Sequence, residues 1–117
     1  MNDGISQKVS MEFESESIGT KLLVHGQSNG RRIGRFEIDR TDLKIVHGRF
    51  EIFPQYRGRG YARSFIEHII GILSEMRVVH CLYLTTDEAE AKLRHIYLEH
   101  GYEEVAPTFL LRDYSQA

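Results

Sequence analysis

The sequence predicts an α/β protein of the α+β type, with a mixed, mostly antiparallel sheet of about six strands and two main helices. Apolar residues alternate with a period of two over the first half of the chain and recur every three or four residues after Pro54. A short apolar run separates two such helical stretches. The 117 residues, 41% of them hydrophobic, fit one domain spanning 1–117 with a core of its own.

The first half of the chain is predicted to form strands. Their expected bounds are residues 9–16, 21–27, 32–40 and 43–53. Val9, Met11 and Phe13 alternate with polar residues, which is the period of a half-buried strand. The pair Asn29-Gly30 suits the positive φ angles of a type I′ turn, so the second and third strands should form a hairpin. The last three strands follow one another as an antiparallel meander.

A helix followed by a buried strand is predicted after the meander. The helix is expected over residues 60–76. Its apolar residues recur at helical spacing: Ala62, Phe65, Ile66, Ile69, Ile70, Leu73 and Met76. The run 78–85 is short and almost entirely apolar, which predicts a buried strand.

A second helix and two short strands are predicted at the end. The capping-box sequence Thr85–Glu88 precedes the helix, and Gly101 suits its left-handed C-terminal position. One helix face is shared by Leu93, Ile96, Tyr97 and His100. Strands are expected over 102–105 and 108–113, broken by a proline.

Charge is distributed unevenly along the chain. The total is −2, from 15 Lys and Arg against 17 Asp and Glu, which argues against a nucleic-acid-binding protein. Residues 31–63 nevertheless hold nine Arg and Lys against four Asp and Glu, a net charge of +5. This block is expected either to bind an anion or to form a solvated strand surface whose arginines pair with neighbouring acids.

The composition also predicts a compartment. The single Cys81 has no second cysteine with which to form a disulfide or a metal-thiolate site, so we expect a reducing, cytoplasmic environment and no metal. The acidic N-terminal stretch lacks the apolar run of a signal peptide. No 18 apolar residues run together, so no membrane association is expected.

The glycine segment, residues 57–63 (RGRGYAR), joins the meander to the first helix. Gly58 and Gly60 allow a tight bend that exposes several N–H groups beside the positive end of the helix, which together suit a phosphate or pyrophosphate. The sequence lacks the Gly-Lys-Ser/Thr of a P-loop. Arg63 stands where a Rossmann fingerprint needs a third Gly or Ala. A glycine-rich turn without a ligand is the remaining alternative.

Two motifs carry a resemblance to a known family. The sequence Arg57-Gly58-Arg59-Gly60-Tyr61-Ala62 resembles the Arg/Gln-x-x-Gly-x-Gly/Ala signature of the GNAT superfamily of acyl-CoA N-acyltransferases. Residues 96–102 (IYLEHGY) resemble that family's Leu-Tyr-x-x-x-Gly-Phe segment, and the match runs over roughly residues 32–113. The resemblance implies a GNAT-like fold and transfer of an acetyl group from acetyl-CoA, as cosubstrate, to an amine acceptor.

The same resemblance assigns roles to individual residues. The pyrophosphate of acetyl-CoA would rest on the backbone N–H groups of Gly58, Arg59, Gly60, Tyr61, Ala62 and Arg63, with added charge from Arg57. The pantetheine arm would pair with the last meander strand at Phe50, Glu51 and Ile52. Tyr97 would protonate the departing thiolate as general acid. The candidate base follows from the residues themselves: Glu51, or His47 on the same strand face, is placed to take the proton of the incoming amine.

Each candidate also has a purely structural interpretation. Tyr97 shares the apolar stripe of its helix and could be core, and Glu51 could be an exposed strand residue. His25 and His80 are weaker candidate bases. The remaining expectations concern three residues: His68 and His95 are expected to be solvated, and Cys81 to be packed rather than reactive.

Two departures from the family pattern bear on the acceptor. The family usually has two helices after its first strand, whereas only Ser17–Thr20 separate the first two strands here. The acceptor side should therefore be open, which favours a protein or peptide amine. An Asn common seven residues before the tyrosine is Glu90 here, so an acetyl-CoA-sensing or inactive module that regulates a partner protein is the alternative function. The sequence also leaves a homodimer as one of the possible oligomeric states.

Overall fold

The computed structural model describes residues 10–42, 44–84 and 92–115, which form one sheet and two helices. The elements in chain order are β1 (Glu12–Ile18), β2 (Lys21–Ser28), β3 (Arg31–Asp39), β4 (Ile45–Ile52), a 3₁₀ turn (Pro54–Tyr56), α1 (Tyr61–Met76), β5 (Val79–Tyr83), α2 (Arg94–Glu99), β6 (Glu103–Ala106) and β7 (Phe109–Asp113). None of the helices in this part of the chain is long and apolar enough to cross a bilayer.

Tight turns join the first three strands. Asn29 and Gly30 have φ angles of 53° and 75°, so the predicted type I′ hairpin between β2 and β3 is confirmed. Gly19, with φ of 60°, lies in the two-residue turn between β1 and β2, and Ile18 pairs with Lys21 across it. The expected absence of a helix pair between the first two strands is therefore confirmed.

The sheet has seven strands rather than about six, in the order β1-β2-β3-β4-β5-β7-β6. All pairs are antiparallel except β4 and β5, which α1 connects as a parallel crossover. These two strands pair only from Ile45–Val79 to His47–Cys81 and then diverge. The divergence opens a gap in the middle of the sheet, next to the start of α1.

Helix α1 packs against one face of the sheet, as its apolar stripe predicts. Phe65 is fully buried, and its ring lies 5.0 Å from the ring of Phe50 and 5.3 Å from that of Phe13, edge to face in both pairs. Gly26 faces Phe65 closely enough that no Cβ would fit. The ring of His68 stacks on Phe13 at 3.8 Å, so the expectation that His68 is solvated is wrong.

Some predicted features lie outside the described residues. These are Val9 in the first strand, Leu43 in the fourth, the capping-box sequence Thr85–Glu88, and Glu90. The described part of the second helix, α2, is six residues long. Gly101 follows α2 with φ of 84°, so its predicted left-handed position is confirmed.

Candidate active site

The glycine segment forms an open anion site between β4 and α1. Gly58 and Gly60 have φ angles of 77° and 85°, a region that glycine enters without strain. Space next to Gly58 is open, since a Cβ there would have no atom within 4 Å. Gly60 is the N-cap of α1 and no side chain caps the helix, so its first N–H groups stay available to a ligand.

Arginine side chains surround this anion site. The Nε atom of Arg57 donates a hydrogen bond of 2.8 Å to the carbonyl oxygen of Ile52, which ties the segment to the end of β4. Arg59 is exposed, with its guanidinium 6.0 Å from the ring centre of Tyr56. Arg63 pairs with Glu99 of α2. All three arginines thus contact neighbouring protein groups, while their positive charge stays next to the exposed N–H groups.

The gap between β4 and β5 leads away from the glycine segment. Its volume is about 290 Å³, and Tyr97 lies on its wall. The other lining residues are Gly48, Arg49 and Phe50 of β4, Leu82, Tyr83 and Leu84, and Leu93. Tyr97 is only 3% exposed, so its ring is part of the core and of the gap wall at the same time.

A larger groove of about 1050 Å³ contains the anion site and shares Arg49, Phe50 and Leu93 with the lining of the gap. Among the predicted residues, it is lined by Phe50, Glu51, Ile52, Arg57, Gly58, Gly60, Tyr61, Ala62 and Arg63. Arg59 does not line it. Nine of the ten residues predicted to contact acetyl-CoA thus share one continuous surface, although they come from a strand, a turn and a helix.

The two candidate bases lie on the sheet face opposite α1. His47, Arg49 and Glu51 alternate with buried Val46 and Phe50, as predicted. Glu51 lines the groove, whereas His47 lines neither the groove nor the gap. Because the residues are four apart on one strand, their Cα atoms are about 13 Å apart. Glu51 and His47 therefore cannot take the same position beside one acceptor amine.

Charged pairs surround Glu51 on this open face. Arg35 of β3 lies directly across from Glu51, with Nε 3.7 Å from Oε1. Lys21 pairs with Glu37 at 3.2 Å in the next row of the sheet. Arg35, Glu37 and Arg49 line the groove beside Glu51. Glu51 is therefore a partly exposed carboxylate at the groove, held loosely by a single arginine.

Of the other titratable candidates, His25, His80 and Cys81 do not line the groove. His25 is largely buried and its Nε2 lies 3.0 Å from Glu16 Oε1. Burial lowers the pKa of His80 to about 3, with a further contribution from His47, so His80 is neutral in the core. Burial likewise raises the pKa of Cys81, in agreement with a packing role. His95 is exposed, as expected, at the edge of the groove.

Several groove residues were missed by the sequence reasoning. Arg35 and Glu37 could have been found from strand register, because the turn at 40–42 places them across from Glu51 and Arg49. Nothing in the sequence around Lys92 predicts that it lines the groove. It lines the groove together with Phe50 and Ile52 of β4, which are distant from it in sequence.

Comparisons with known proteins agree with this geometry. A family model described as the acetyltransferase (GNAT) family matches residues 11–102. A GNAT family acetyltransferase from Elizabethkingia anophelis, solved with acetyl-CoA bound, superposes with a TM-score of 0.71 at 9% identity, over 85% of this chain and 80% of that one. No curated protein sequence matches the chain significantly.

Two further solved structures share the fold. The spermidine N-acetyltransferase from Vibrio cholerae, in complex with CoA and spermine, has a TM-score of 0.69 at 15% identity, over 84% of this chain and 68% of that one. The N-acetyltransferase PseH from Campylobacter jejuni has a TM-score of 0.65 at 14% identity, covering 86% and 71%. With the family match over most of its length, the chain belongs to the acetyltransferase (GNAT) family, as an acyl-CoA-dependent N-acyltransferase with acetyl-CoA as cosubstrate.

Proposed function

We propose that the protein transfers an acetyl group from acetyl-CoA directly to an amine of a protein or peptide. The observation that carries this proposal is the continuous groove from the glycine segment to the gap beside Tyr97. The uncapped start of α1 and the nearby arginines fit a pyrophosphate. The diverging edges of β4 and β5 fit an extended arm that hydrogen-bonds like a strand.

Acetyl-CoA supplies a thioester, whose acyl carbon bonds to the amine nitrogen as the carbon–sulfur bond breaks. Backbone N–H groups near Ile52 polarise the acyl oxygen. Glu51 takes the proton of the amine, directly or through a water molecule. The hydroxyl of Tyr97 donates a proton to the departing thiolate. His47 is the alternative base, although its position away from the groove favours Glu51.

The open sheet face supports a large acceptor. Within the described residues, α1 packs on the sheet face that carries Phe50, α2 is linked to α1 by the Arg63–Glu99 pair, and β1 and β2 are joined by two residues. Exposed charges of both signs line that open face, including the Lys21–Glu37 and Arg35–Glu51 pairs. A face without an enclosing wall suits a chain segment better than a small molecule that must be surrounded. The unpaired Cys81 supports a cytoplasmic location.

The test is release of free CoA thiol from acetyl-CoA, with lysine peptides, unmodified N-terminal peptides, a mixed protein lysate and the polyamine spermidine as acceptors. We expect release with proteins or peptides and little with spermidine. Fast acetylation of spermidine alone would overturn the proposed acceptor. Acetyl-CoA binding by calorimetry without thiol release from any acceptor would instead favour the sensing or regulatory module.

A further inference from the structure

Three buried side chains form a hydrogen-bonded chain behind the gap. The Nδ1 atom of His80 lies 2.7 Å from the hydroxyl of Tyr102, which in turn lies 2.8 Å from the hydroxyl of Tyr114. His80 is 1% exposed and Tyr102 is 4% exposed. Burial raises the pKa of Tyr102 above its ordinary value, so its hydroxyl remains a donor. His80 lies in β5, Tyr102 directly precedes β6, and Tyr114 directly follows β7.

His80 also fills the space next to Gly48, where β4 and β5 begin to diverge. A Cβ at Gly48 would collide with Nε2 of His80 and come within 2.8 Å of the Phe36 ring. Gly48 has no positive φ, so the close approach of these rings, rather than the backbone, requires glycine there. Gly48 is the first residue of β4 beyond the last pair with β5, and it lines the gap.

This packing determines which nitrogen of His80 carries the proton. Nε2 has no hydrogen-bond partner among the described residues, and it faces the Cα hydrogen of Gly48. An N–H at Nε2 would lack an acceptor, whereas a lone pair there is in weak contact with a C–H group. The neutral ring therefore carries its proton on Nδ1, which donates to Tyr102, and Tyr102 donates to Tyr114.

The same chain supports the proposed general acid. The ring of Tyr102 packs edge to face against Tyr97, with ring centres 5.1 Å apart and planes at 67°. The backbone N–H of Tyr102 also donates to the carbonyl oxygen of Tyr97 at 3.1 Å. The position of Tyr97 is thus connected through Tyr102 and His80 to Gly48 on the opposite wall of the gap.

We propose that His80, Tyr102 and Tyr114 are positioning residues, which hold Tyr97 and the β4 wall at Gly48 at a constant separation during acetyl transfer. The proposal rests on the proposed function. Its physical basis is that a proton donor misplaced by a fraction of its hydrogen-bond length loses most of its effect on the departing thiolate. None of the three residues needs to contact acetyl-CoA.

The test compares His80→Leu with His80→Asn. The two new side chains have nearly the same shape, but only Asn retains a donor close to the position of Nδ1. We expect kcat for thiol release to fall about tenfold to a hundredfold in His80→Leu and Tyr102→Phe, and roughly threefold in His80→Asn. The Kd of acetyl-CoA should stay within about twofold in all three, because the groove is untouched. Ile69→Val, a core change away from the gap, controls for lost packing.

A second readout does not depend on activity. Long-range nitrogen–proton correlation spectra of the ¹⁵N-histidine-labelled protein should show His80 with its proton on Nδ1, and Tyr102→Phe should change that signal. A proton on Nε2 would overturn the hydrogen-bonded chain. Equal kcat values in His80→Leu, Tyr102→Phe and the active wild-type protein would overturn the positioning role alone. Absence of thiol release by the wild-type protein would overturn the proposed function, and the positioning role with it.

Discussion

Arg63, in the first turn of α1, and Glu99, the last residue of α2, form an ion pair of 2.6 Å. The hydrogen bond lowers the pKa of Glu99 and raises that of Arg63. The ion pair thereby connects the residue directly after the first family-like motif with the second motif, 36 residues further along the chain. A second contact nearby places Nε2 of His100, the C-cap of α2, 3.4 Å from a carboxylate oxygen of Glu67 in α1.

Glu99→Gln should tighten binding of acetyl-CoA about threefold, because it leaves the charge of Arg63 available to an anion. Stability should change little, since both side chains are about half exposed. Arg63→Gln should weaken binding. Titration calorimetry at low salt measures both effects, and Glu75→Gln, the same charge change at the far end of α1, is the control. Equal affinity in the Glu75 and Glu99 variants would contradict the prediction.

Gly60→Trp should raise the Kd of acetyl-CoA at least about a hundredfold, which corresponds to about 2.7 kcal/mol of binding free energy. The indole would cover the N–H groups at the start of α1. Gly30→Trp is a matched control, because Gly30 has a similar φ of 75° against 85° but lies in the distant β2–β3 turn. Both variants should lose about 1–2 kcal/mol of stability from backbone strain. Similar affinities would show that the glycine segment does not bind the ligand.

Tyr97→Phe should lower kcat about a hundredfold, as expected for the loss of a general acid. The ring is retained, so the core around Tyr97 and the Kd of acetyl-CoA should be preserved. Single-turnover thiol release and calorimetry separate the two quantities. Full turnover in this variant would mean that Tyr97 acts only as a core residue.

Glu51→Gln should lower kcat/KM for the amine about a hundredfold, and His47→Gln by much less. The reason is position, since Glu51 lines the groove and His47 does not. Both variants remove a titratable group from the same strand face and so control for each other. The rates should be measured across pH 6–9, and a greater loss in His47→Gln would assign the base to His47.

Because of His80, the protein should be less stable in mild acid than at neutral pH. Its pKa is lowered from 6.5 to about 3 by burial first and by His47 second. Between these values the unfolded chain binds a proton that the folded chain does not, so the free energy of unfolding falls as the pH falls. The loss from pH 7 to pH 5 should be about 2 kcal/mol. The free energy of unfolding, measured by urea denaturation, should depend less on pH in His80→Asn than in the wild-type protein. Identical slopes of unfolding free energy against pH in the two proteins would contradict the prediction.

Local patterns predicted most of the elements. The Asn29-Gly30 turn, the helical spacing from Ala62 to Met76 and the left-handed Gly101 depend on neighbouring residues only, and all three are confirmed. His68 was placed wrongly because its surroundings come from β1, more than fifty residues away, where Phe13 supplies a flat ring for stacking.

The sequence by itself determined the glycine segment, the order of strands and helices, and the family, because each depends on residue types at short spacing. Only the tertiary structure decided which residues share the groove and the gap. Strand register placed Arg35 across from Glu51, and the divergence of β4 from β5 created the gap beside Tyr97. The contact between His80 and Gly48 likewise depends on packing between separate strands, and such distances have no counterpart in sequence spacing.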